Sequence, residues 1–232
     1  MLGIIGAMDE EVVKVKEQME NVQIMTKAAM EFFEGTVNSH PVVVVRSGIG
    51  KVNAAMNLTA LLANENIDLI FMTGSAGSMQ NDIHQKDLIL PNAFSYHDAH
   101  NTRAGNYVEG QIPQEPAQFE LNSPARQEFL NYLTANNIDF KEGLIVTGDS
   151  FIASNKQKEA IKKNFPNALG VEMEGAAFAQ VASKFNVPLV ALRAISDNGD
   201  EGADEDFDTF VKEVGQKAAT IISSYLEKEV LN

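Results

Sequence analysis

Short apolar runs alternate with stretches of helical periodicity along the chain, and this alternation is typical of α/β architecture. Several runs are continuously apolar, as expected of strands covered by helices on both faces. The weaker run at 31–37 suits an edge strand. The apolar runs predict strands at residues 2–6, 31–37, 42–47, 68–74, 87–93, 140–148, 168–173 and 188–196.

Between these runs, apolar side chains recur every three or four residues and predict helices. The predicted helical stretches are 8–19, 52–62, 123–136, 178–185 and 207–225. Two polar stretches interrupt the pattern. They are a long loop at 95–118, longer than compact connections usually are, and an acidic loop at 197–206. No repeat, low-complexity tract or linker divides the chain, so one domain over 1–232 is expected.

Composition narrows the classes of partner. The 232 residues include 32 acidic and 18 basic side chains, a net charge of −14, and the basic residues form no run. Such a surface repels phosphate backbones, which argues against nucleic acid and anionic membranes as partners. The hydrophobic fraction of 44% and the charged fraction of 22% are ordinary for a soluble globular protein.

The absence of cysteine excludes disulfides, thiolate zinc sites and cysteine nucleophiles together. The N-terminus lacks the pattern of a signal peptide, and no apolar run approaches the roughly 20 residues that span a bilayer. A soluble cytoplasmic protein is therefore expected. His97 and His100 show no metal-ligand spacing, so no metal site is expected.

Glycine-rich segments indicate which ligands the chain could bind. GIIGAM (3–8) has GxxG spacing and not the GxGxxG of a dinucleotide fold, and SGIGK (47–51) lacks the first glycine and the final Ser/Thr of a P-loop. NAD and ATP are therefore excluded, and no cofactor is expected. TGSAGS (73–78) follows a strong strand and could cradle a sugar or an anion with its N–H groups and hydroxyls, although a plain turn is equally compatible.

Acidic residues follow three predicted strands. Asp9, Glu10 and Glu11 stand where a helix starts, so they are either charges favoured by the helix dipole or part of a site at the sheet's carboxyl edge. Glutamates in VEMEG (171–175) stand near the core, where either a ligand or a buried ion pair with an arginine must satisfy them.

Ser196 and Asp197 end the longest apolar strand, where Asp197 could be a site carboxyl or part of a loop-start turn. Phe151 and Ile152 follow another strand, and an aromatic there could stack on a flat ring or anchor the loop. Together the strand ends offer acids, hydroxyls and an aromatic, a combination that fits a neutral, hydroxylated ligand with a flat ring. A nucleoside meets that description.

The ordered segments GIIGAMDEEV, SGIGKVNAA, TGSAGS, YHDA, GQIP, GLIVTGDSFI, NFPNALGVEMEGAA, FNVP and RAISD resemble the motifs of bacterial 5′-methylthioadenosine/S-adenosylhomocysteine nucleosidases. They cover nearly the whole chain, and GAM-[DE]-EE separates these enzymes from the wider nucleoside phosphorylase superfamily. The resemblance implies a three-layer α/β/α sandwich around a mixed, largely parallel sheet, a homodimer, and hydrolysis that releases adenine. Methylthioadenosine, adenosylhomocysteine and 5′-deoxyadenosine are the expected substrates, and their ranking is open.

The resemblance also implies roles for individual residues. Asp197 would be the general acid at adenine N7, Glu11 would position and activate the water, and Glu174 would hold the ribose hydroxyls. Further residues expected around the nucleoside are Met8, Ile49, Ser75, Ala76, Gly77, Phe151, Ile152, Glu172, Met173, Arg193, Ser196 and Phe207, with Pro113 contributed by the partner subunit. Among them, Phe151 would stack on adenine and Ser196 would support Asp197.

The chemistry agrees, because glycosidic cleavage passes through an oxocarbenium-like transition state that needs an acid at the leaving group and a placed water. An ordinary Asp, with a pKa of about 3.9, is protonated in roughly one molecule in a thousand at pH 7. A raised pKa is therefore expected for Asp197 in the complex. The rival functions are a phosphorylase, which would need cations for phosphate, and a non-catalytic nucleoside-binding protein.

The sequence departs from the family pattern at a few positions. Gly175 and Ala176 stand where these nucleosidases usually have Ala-Thr, and Ala104 replaces a frequent aromatic that enters the partner's pocket. An apparent one-residue insertion precedes GQIP. These departures leave the partner's contribution and the preferred 5′-substituent open.

Overall fold

Ten strands share one mixed sheet in the computed structural model, which describes residues 1–27, 30–103 and 105–228. Ala104 lies outside the described residues. The strands are β1 (Leu2–Gly6), β2 (Glu20–Lys27), β3 (Met30–Val37), β4 (His40–Arg46), β5 (Leu69–Ser78), β6 (Leu88–Tyr96), β7 (Phe119–Glu120), β8 (Lys141–Thr147), β9 (Ala168–Glu172) and β10 (Leu189–Asp197).

Helices connect most of these strands. They are α1 (Asp9–Lys16), α2 (Lys51–Asn64), α3 (Pro124–Ala135), α4 (Asn155–Asn164), α5 (Gly175–Phe185) and α6 (Ala203–Lys228). Within the described part of the chain, none of them is long and apolar enough to cross a membrane.

Strand order in the sheet is β10-β6-β8-β9-β5-β1-β4-β3-β2, with β7 beside β6. The pairs β1–β4, β1–β5, β5–β10, β6–β8 and β8–β9 are parallel, and the pairs β2–β3, β3–β4, β5–β9, β6–β7 and β6–β10 are antiparallel. Because β10 also pairs with β5, the strands β5, β10, β6, β8 and β9 close into a ring. Several strand ends therefore meet around one point.

Alternating side chains along each buried strand separate the two faces of the sheet. Ile5 and Met72 pack into a core with α2 and α5, whereas Ile4 and Phe71 pack into a second core with α1, α3 and α6. A smaller cluster lies under α4 and includes Ile161. The predicted α/β/α sandwich around a mixed sheet is thereby confirmed.

Four local predictions were wrong. The run at 31–37 is not an edge strand, because β3 pairs with β2 on one side and with β4 on the other. TGSAGS is not a turn, because β5 continues through Ser78 and pairs there with β9 and β10. The predicted helix at 8–19 ends at Lys16, and the polar segment after it forms edge strand β2. The predicted acidic loop ends early, because α6 begins at Ala203 and its first turn holds three acids beside the positive end of the helix dipole.

Candidate active site

A cavity of about 490 Å³ opens where the carboxyl ends of β1, β5, β9 and β10 meet. This is the edge at which ligands bind in α/β sheets. Its walls are formed by Ala7, Met8, Glu11, Ile49, Ser75, Ala76, Gly77, Phe151, Val171, Glu172, Met173, Glu174, Ser196, Asp197, Asp204, Phe207 and Asp208. The structure therefore brings together all but three of the residues expected around the ligand.

Glu11 is buried at the start of α1, where the chain turns from β1 back towards the sheet. Its Oε2 accepts hydrogen bonds from the backbone N–H groups of Ala7 at 2.7 Å and Met8 at 3.1 Å. Its Oε1 accepts from the Ser75 N–H at 3.0 Å and from the Ser75 hydroxyl at 3.3 Å. Burial raises the pKa of Glu11, while the charge of Arg193 and these N–H donors oppose the rise. Of the two interpretations left open by the sequence, the structure favours a site residue, because Glu11 is buried at the cavity and does not simply interact with the helix dipole.

Glu172 lies at the end of β9, on the floor of the cavity, and its carboxylate is fully occupied by partners within the protein. It pairs with the buried guanidinium of Arg193 and accepts a hydrogen bond from the Thr147 hydroxyl. Its Oε2 also accepts from the N–H groups of Glu174 at 3.0 Å and Gly175 at 2.7 Å. Glu172 therefore fixes the turn that leads from β9 into α5.

Glu174 immediately precedes α5 and faces the cavity with fewer internal partners. Its Oε1 accepts a hydrogen bond from the Gly50 N–H at 2.8 Å, and its Oε2 lies 3.8 Å from Nη2 of Arg193. Burial and the adjacent charge of Glu172 raise the pKa of Glu174 to about 8. Of the two glutamates, Glu174 is the one that remains available to a ligand.

Asp197 ends β10 on the opposite side of the cavity. Its Oδ2 accepts a 2.7 Å hydrogen bond from the Ser196 hydroxyl, and its Oδ1 accepts from the Gly199 N–H at 2.8 Å. Burial raises the pKa of Asp197 despite these two donors. Gly77 makes room for this carboxyl, because a Cβ at position 77 would lie 2.7 Å from Oδ1 of Asp197.

Apolar side chains form the remaining walls of the cavity. The rings of Phe151 and Phe207 meet edge to face with their centroids 5.4 Å apart. Phe151 and Ile49 are exposed, although large apolar side chains usually avoid water. An exposed aromatic in the wall of a cavity offers a stacking surface for a flat ring.

Three expected residues do not line this cavity. Arg193 is completely buried beneath the floor, where it forms the ion pair with Glu172 that the sequence left open. Ile152 is buried and lines a small adjoining cavity that it shares with Phe151. Pro113 lies exposed in the loop between β6 and β7 and does not line the cavity.

Four lining residues were not predicted from the sequence. Ala7 and Val171 are neighbours of predicted residues, and small or apolar side chains of this kind carry no chemical signal. Asp204 and Asp208 lie four residues apart on α6, on either side of Phe207, so helical spacing from Phe207 could have identified them.

Cationic groups are absent from the lining described above. Arg46 lies at the exposed end of β4, with Nε 3.7 Å from Oδ1 of Asp9. Arg193 is committed to Glu172. Within the described residues, no group of three or more His, Asp or Glu side chains could hold a metal ion. The site offers carboxyls, hydroxyls and apolar surface.

Comparison with known proteins identifies the family of this chain. The family model of the phosphorylase superfamily matches residues 1–227. The 5′-methylthioadenosine/S-adenosylhomocysteine nucleosidase of Staphylococcus aureus strain JH9 is 41% identical over 227 residues, which cover 98% of this chain and 97% of the relative.

Solved structures of nucleosidases with the same name superpose closely. The Streptococcus pneumoniae enzyme, with the transition-state inhibitor MT-ImmA, has 39% identity and a TM-score of 0.92 over 97% of this chain and 98% of that one. The Neisseria meningitidis enzyme, with methylthio-immucillin-A, has 34% identity and a TM-score of 0.93 over the same shares. The chain belongs to the 5′-methylthioadenosine/S-adenosylhomocysteine nucleosidases of the phosphorylase superfamily.

Proposed function

We propose that the protein hydrolyses the N-glycosidic bond of 5′-methylthioadenosine and S-adenosylhomocysteine, releasing adenine and the corresponding thioribose. The observation that carries the proposal is the meeting of Glu11, Glu174 and Asp197 around one cavity with an exposed phenylalanine wall. The family supports the same reaction, because its relatives carry this name and bind a transition-state inhibitor in the pneumococcal structure. 5′-Deoxyadenosine is a further expected substrate.

Asp197 is the proposed general acid. Adenine is a poor leaving anion, so a proton delivered to N7 as the bond from N9 to C1′ breaks lets it depart as a neutral base. The raised pKa of Asp197 favours the protonated carboxyl that this step requires. Ser196 holds one oxygen of the carboxyl, and Gly199 holds the other, which fixes its orientation. Positioned acids of this kind contribute about 10²–10⁴-fold to rate.

Glu11 is the proposed partner of the attacking water. As positive charge develops at C1′, Glu11 accepts a proton from the water, whose oxygen forms the new bond to C1′. Three backbone N–H groups and the Ser75 hydroxyl hold the carboxylate, so little motion is needed during the reaction. In their ionised forms, Glu11 and Glu174 also stabilise the oxocarbenium-like transition state.

The remaining residues position the nucleoside. Glu174 accepts hydrogen bonds from the ribose hydroxyls, which replace the water that burial removes from its carboxylate. Phe151 stacks on adenine, and the backbone of Ile152 contacts the edge of the base. The proposed 5′-thio pocket is formed by Met8, Ile49, Met173 and Phe207, while Ser75, Ala76 and Gly77 lie along the sugar.

A phosphorylase is the principal alternative, and the cavity does not support it. Phosphate would require cationic groups, whereas no lysine or arginine belongs to the cavity lining in the described residues. A non-catalytic nucleoside sensor would have no need for both Glu11 and Asp197, and both are present and buried at the cavity.

We also infer a homodimer in the cytoplasm with one domain in each subunit. An apolar groove between α2 and α5 supports the dimer, since Val52, Met56 and Phe185 expose large side chains there. Groups of this kind are usually covered by a partner. Pro113 is proposed to enter the partner's site from the loop between β6 and β7. The continuity of the ten-stranded sheet supports one domain.

The deciding experiment measures adenine release from methylthioadenosine in phosphate-free buffer, with and without added phosphate. Release that is independent of phosphate, and reduced about 10²–10⁴-fold in Asp197→Asn, is expected. Release only with phosphate would establish a phosphorylase. Binding of the nucleoside without release in either buffer would establish the sensor.

A further inference from the structure

Just outside the cavity, Lys51, Asp98 and Asp149 form a closed set of hydrogen bonds, which we call the Lys51 ring. The Lys51 ammonium donates to Oδ2 of Asp98 at 2.6 Å and lies 3.6 Å from Oδ2 of Asp149. The Asp149 N–H donates to the same Asp98 oxygen at 3.0 Å, and the Lys51 N–H donates to Oδ1 of Asp149 at 2.8 Å. The ring therefore joins the start of α2 to the segments that follow β6 and β8.

Two of the three joined segments lead directly to the cavity. Ile49, which lines the cavity, stands two positions before Lys51, and Phe151, which also lines it, stands two positions after Asp149. Gly50, between Ile49 and Lys51, donates its N–H to Glu174. Gly50 has φ of +95°, a conformation that few other residues adopt, so the turn presents this N–H in a fixed direction.

The electrostatics of the ring indicate a persistent contact. The Lys51 and Asp98 side chains are only 25% and 30% exposed. Burial alone would raise the pKa of Asp98, but the hydrogen bonds from Lys51 and from the Asp149 N–H hold it below its usual value. Asp98 is thus ionised at neutral pH, and the bond from Lys51 is charge-assisted, a class about twice as strong as neutral hydrogen bonds.

An ordinary surface ion pair would contribute little and would not affect catalysis. The chain offers such a pair for comparison in Lys141 and Asp82, whose Nζ and Oδ2 atoms lie 2.5 Å apart. Both of its side chains are more exposed than those of Lys51 and Asp98, and neither residue lines the cavity. The difference between the pairs lies in what they connect.

We propose that Lys51 is a positioning residue for the hydrolysis, because the Lys51 ring holds the Gly50 N–H on Glu174 and ties the turn that carries Ile49 to the segment that carries Phe151. The inference rests on the proposed function, since it concerns how this site holds the nucleoside. Lys51 itself does not touch the reacting atoms. Its effect passes through the turn at Gly50 and through the segment that carries Phe151.

The test compares Lys51→Met with Lys51→Arg and with the matched control Lys141→Met. For methylthioadenosine, Lys51→Met is expected to raise KM roughly tenfold or more, with a smaller fall in kcat, because binding surfaces lose their fixed positions. The Gly50 N–H favours the ionised form of Glu174, so its loss moves the acid limb of the kcat/KM profile to higher pH. In Lys51→Arg the guanidinium can donate to Asp98, so this variant should restore most of the wild-type KM and kcat. Lys141→Met should behave as the wild type.

Amide hydrogen exchange provides a readout that is independent of activity. The Gly50 and Lys51 amides are expected to exchange at least about tenfold faster in Lys51→Met and at the wild-type rate in Lys51→Arg. If Lys51→Met is folded and keeps the wild-type KM, pH profile and exchange rates, the inference is overturned. A loss of thermal stability alone, without these changes, overturns it as well. A wild-type protein that releases no adenine would refute the proposed function, while amide exchange would still test the ring.

Discussion

Arg193 donates a hydrogen bond to Glu172 beneath the cavity floor, while its distance to Glu174 is 3.8 Å. This unequal contact explains why two glutamates can stand one residue apart near the core. Glu172 is neutralised within the protein, whereas Glu174 keeps capacity for a ligand.

The buried pair between Arg193 and Glu172 predicts a large cost when one partner is removed. Arg193→Met should lower the free energy of unfolding by about 3–5 kcal/mol, since it leaves uncompensated carboxylates in the interior. Urea unfolding monitored by circular dichroism measures this change. Arg126→Met is the control, because its partner Glu142 is partly exposed and can be solvated when the pair is broken. Equal costs in the two variants would contradict a buried pair as the source of the effect.

The Ser196 hydroxyl predicts a specific effect on the general acid. Ser196→Ala removes a donor that favours the ionised form of Asp197, so the pKa of Asp197 should rise further. The alkaline limb of the kcat/KM profile for methylthioadenosine should then move to higher pH. At the same time, kcat should fall roughly tenfold because the carboxyl loses its fixed orientation. Ser196→Thr keeps the hydroxyl and should retain the wild-type profile. An unchanged alkaline limb in Ser196→Ala would show that Asp197 does not control it.

The raised pKa of Glu174 predicts a conflict between stability and function. A carboxyl whose pKa is about 8 in the folded state, against a model value of 4.5, binds a proton more tightly when folded. Its contribution to stability is full below the unfolded pKa and is lost as the pH rises through the folded value. Glu174→Gln should therefore raise the melting temperature at pH 9 relative to the wild type, and the difference should shrink at pH 5.

At pH 9, where the wild-type Glu174 is ionised, adenine release by Glu174→Gln should fall at least about tenfold, because a neutral amide replaces the negative charge beside the ribose. Differential scanning calorimetry at the two pH values measures the stability effect. A melting temperature that falls equally at pH 5 and pH 9 would show that packing, and not ionisation, dominates at this position.

Gly175, one of the departures from the family pattern, is explained by Phe94. A Cβ at position 175 would lie 2.2 Å from Cε1 of the completely buried Phe94 ring. Gly175→Ala should therefore destabilise the protein by about 1–3 kcal/mol through overpacking. The double variant Gly175→Ala/Phe94→Leu should recover part of the loss relative to the sum of the single variants, as a thermodynamic cycle would measure. Strict additivity would contradict the steric explanation.

The strands with continuous apolar runs were predicted from the sequence. Elements with few apolar residues were not. β2 has a polar sequence, ENVQIMTK, because an edge strand is solvated along one side. α4 was also missed, since NKQKEAIKKN contains only two apolar residues and packs on the sheet through Ile161. Both elements gain their stability from contacts with the rest of the fold, which a local pattern does not contain.

The candidate site was largely predictable because β1, β5 and β10 pair in parallel, so that their carboxyl ends lie at one edge of the sheet. Glu11 and Asp197 lie far apart in sequence, yet β1 and β10 both pair in parallel with β5, which brings the two residues to the same cavity. The path of the Arg193 side chain was not predictable from the sequence. Its side chain passes beneath Gly74, where a Cβ would lie 1.7 Å from Nη1, and only the folded structure reveals that path.

If the apolar groove between α2 and α5 is a dimer interface, one charged substitution in the groove should disrupt the dimer. Val52 is 76% exposed and Met56 is 46% exposed in the single subunit, so Val52→Glu would be harmless in a monomer. If the groove is the subunit interface, Val52→Glu buries an unpaired carboxylate and should convert the dimer to monomers at micromolar concentration. Sedimentation velocity measures the change, and adenine release should fall with it if Pro113 completes the partner's site.

Ile24→Glu is the matched control for this prediction. Ile24 is also exposed, but it is paired with Phe33 in the sheet register and packs towards the face opposite to α2 and α5. This variant should sediment as the wild type does. If Val52→Glu remains dimeric, or if Ile24→Glu dissociates equally, the groove is not the interface.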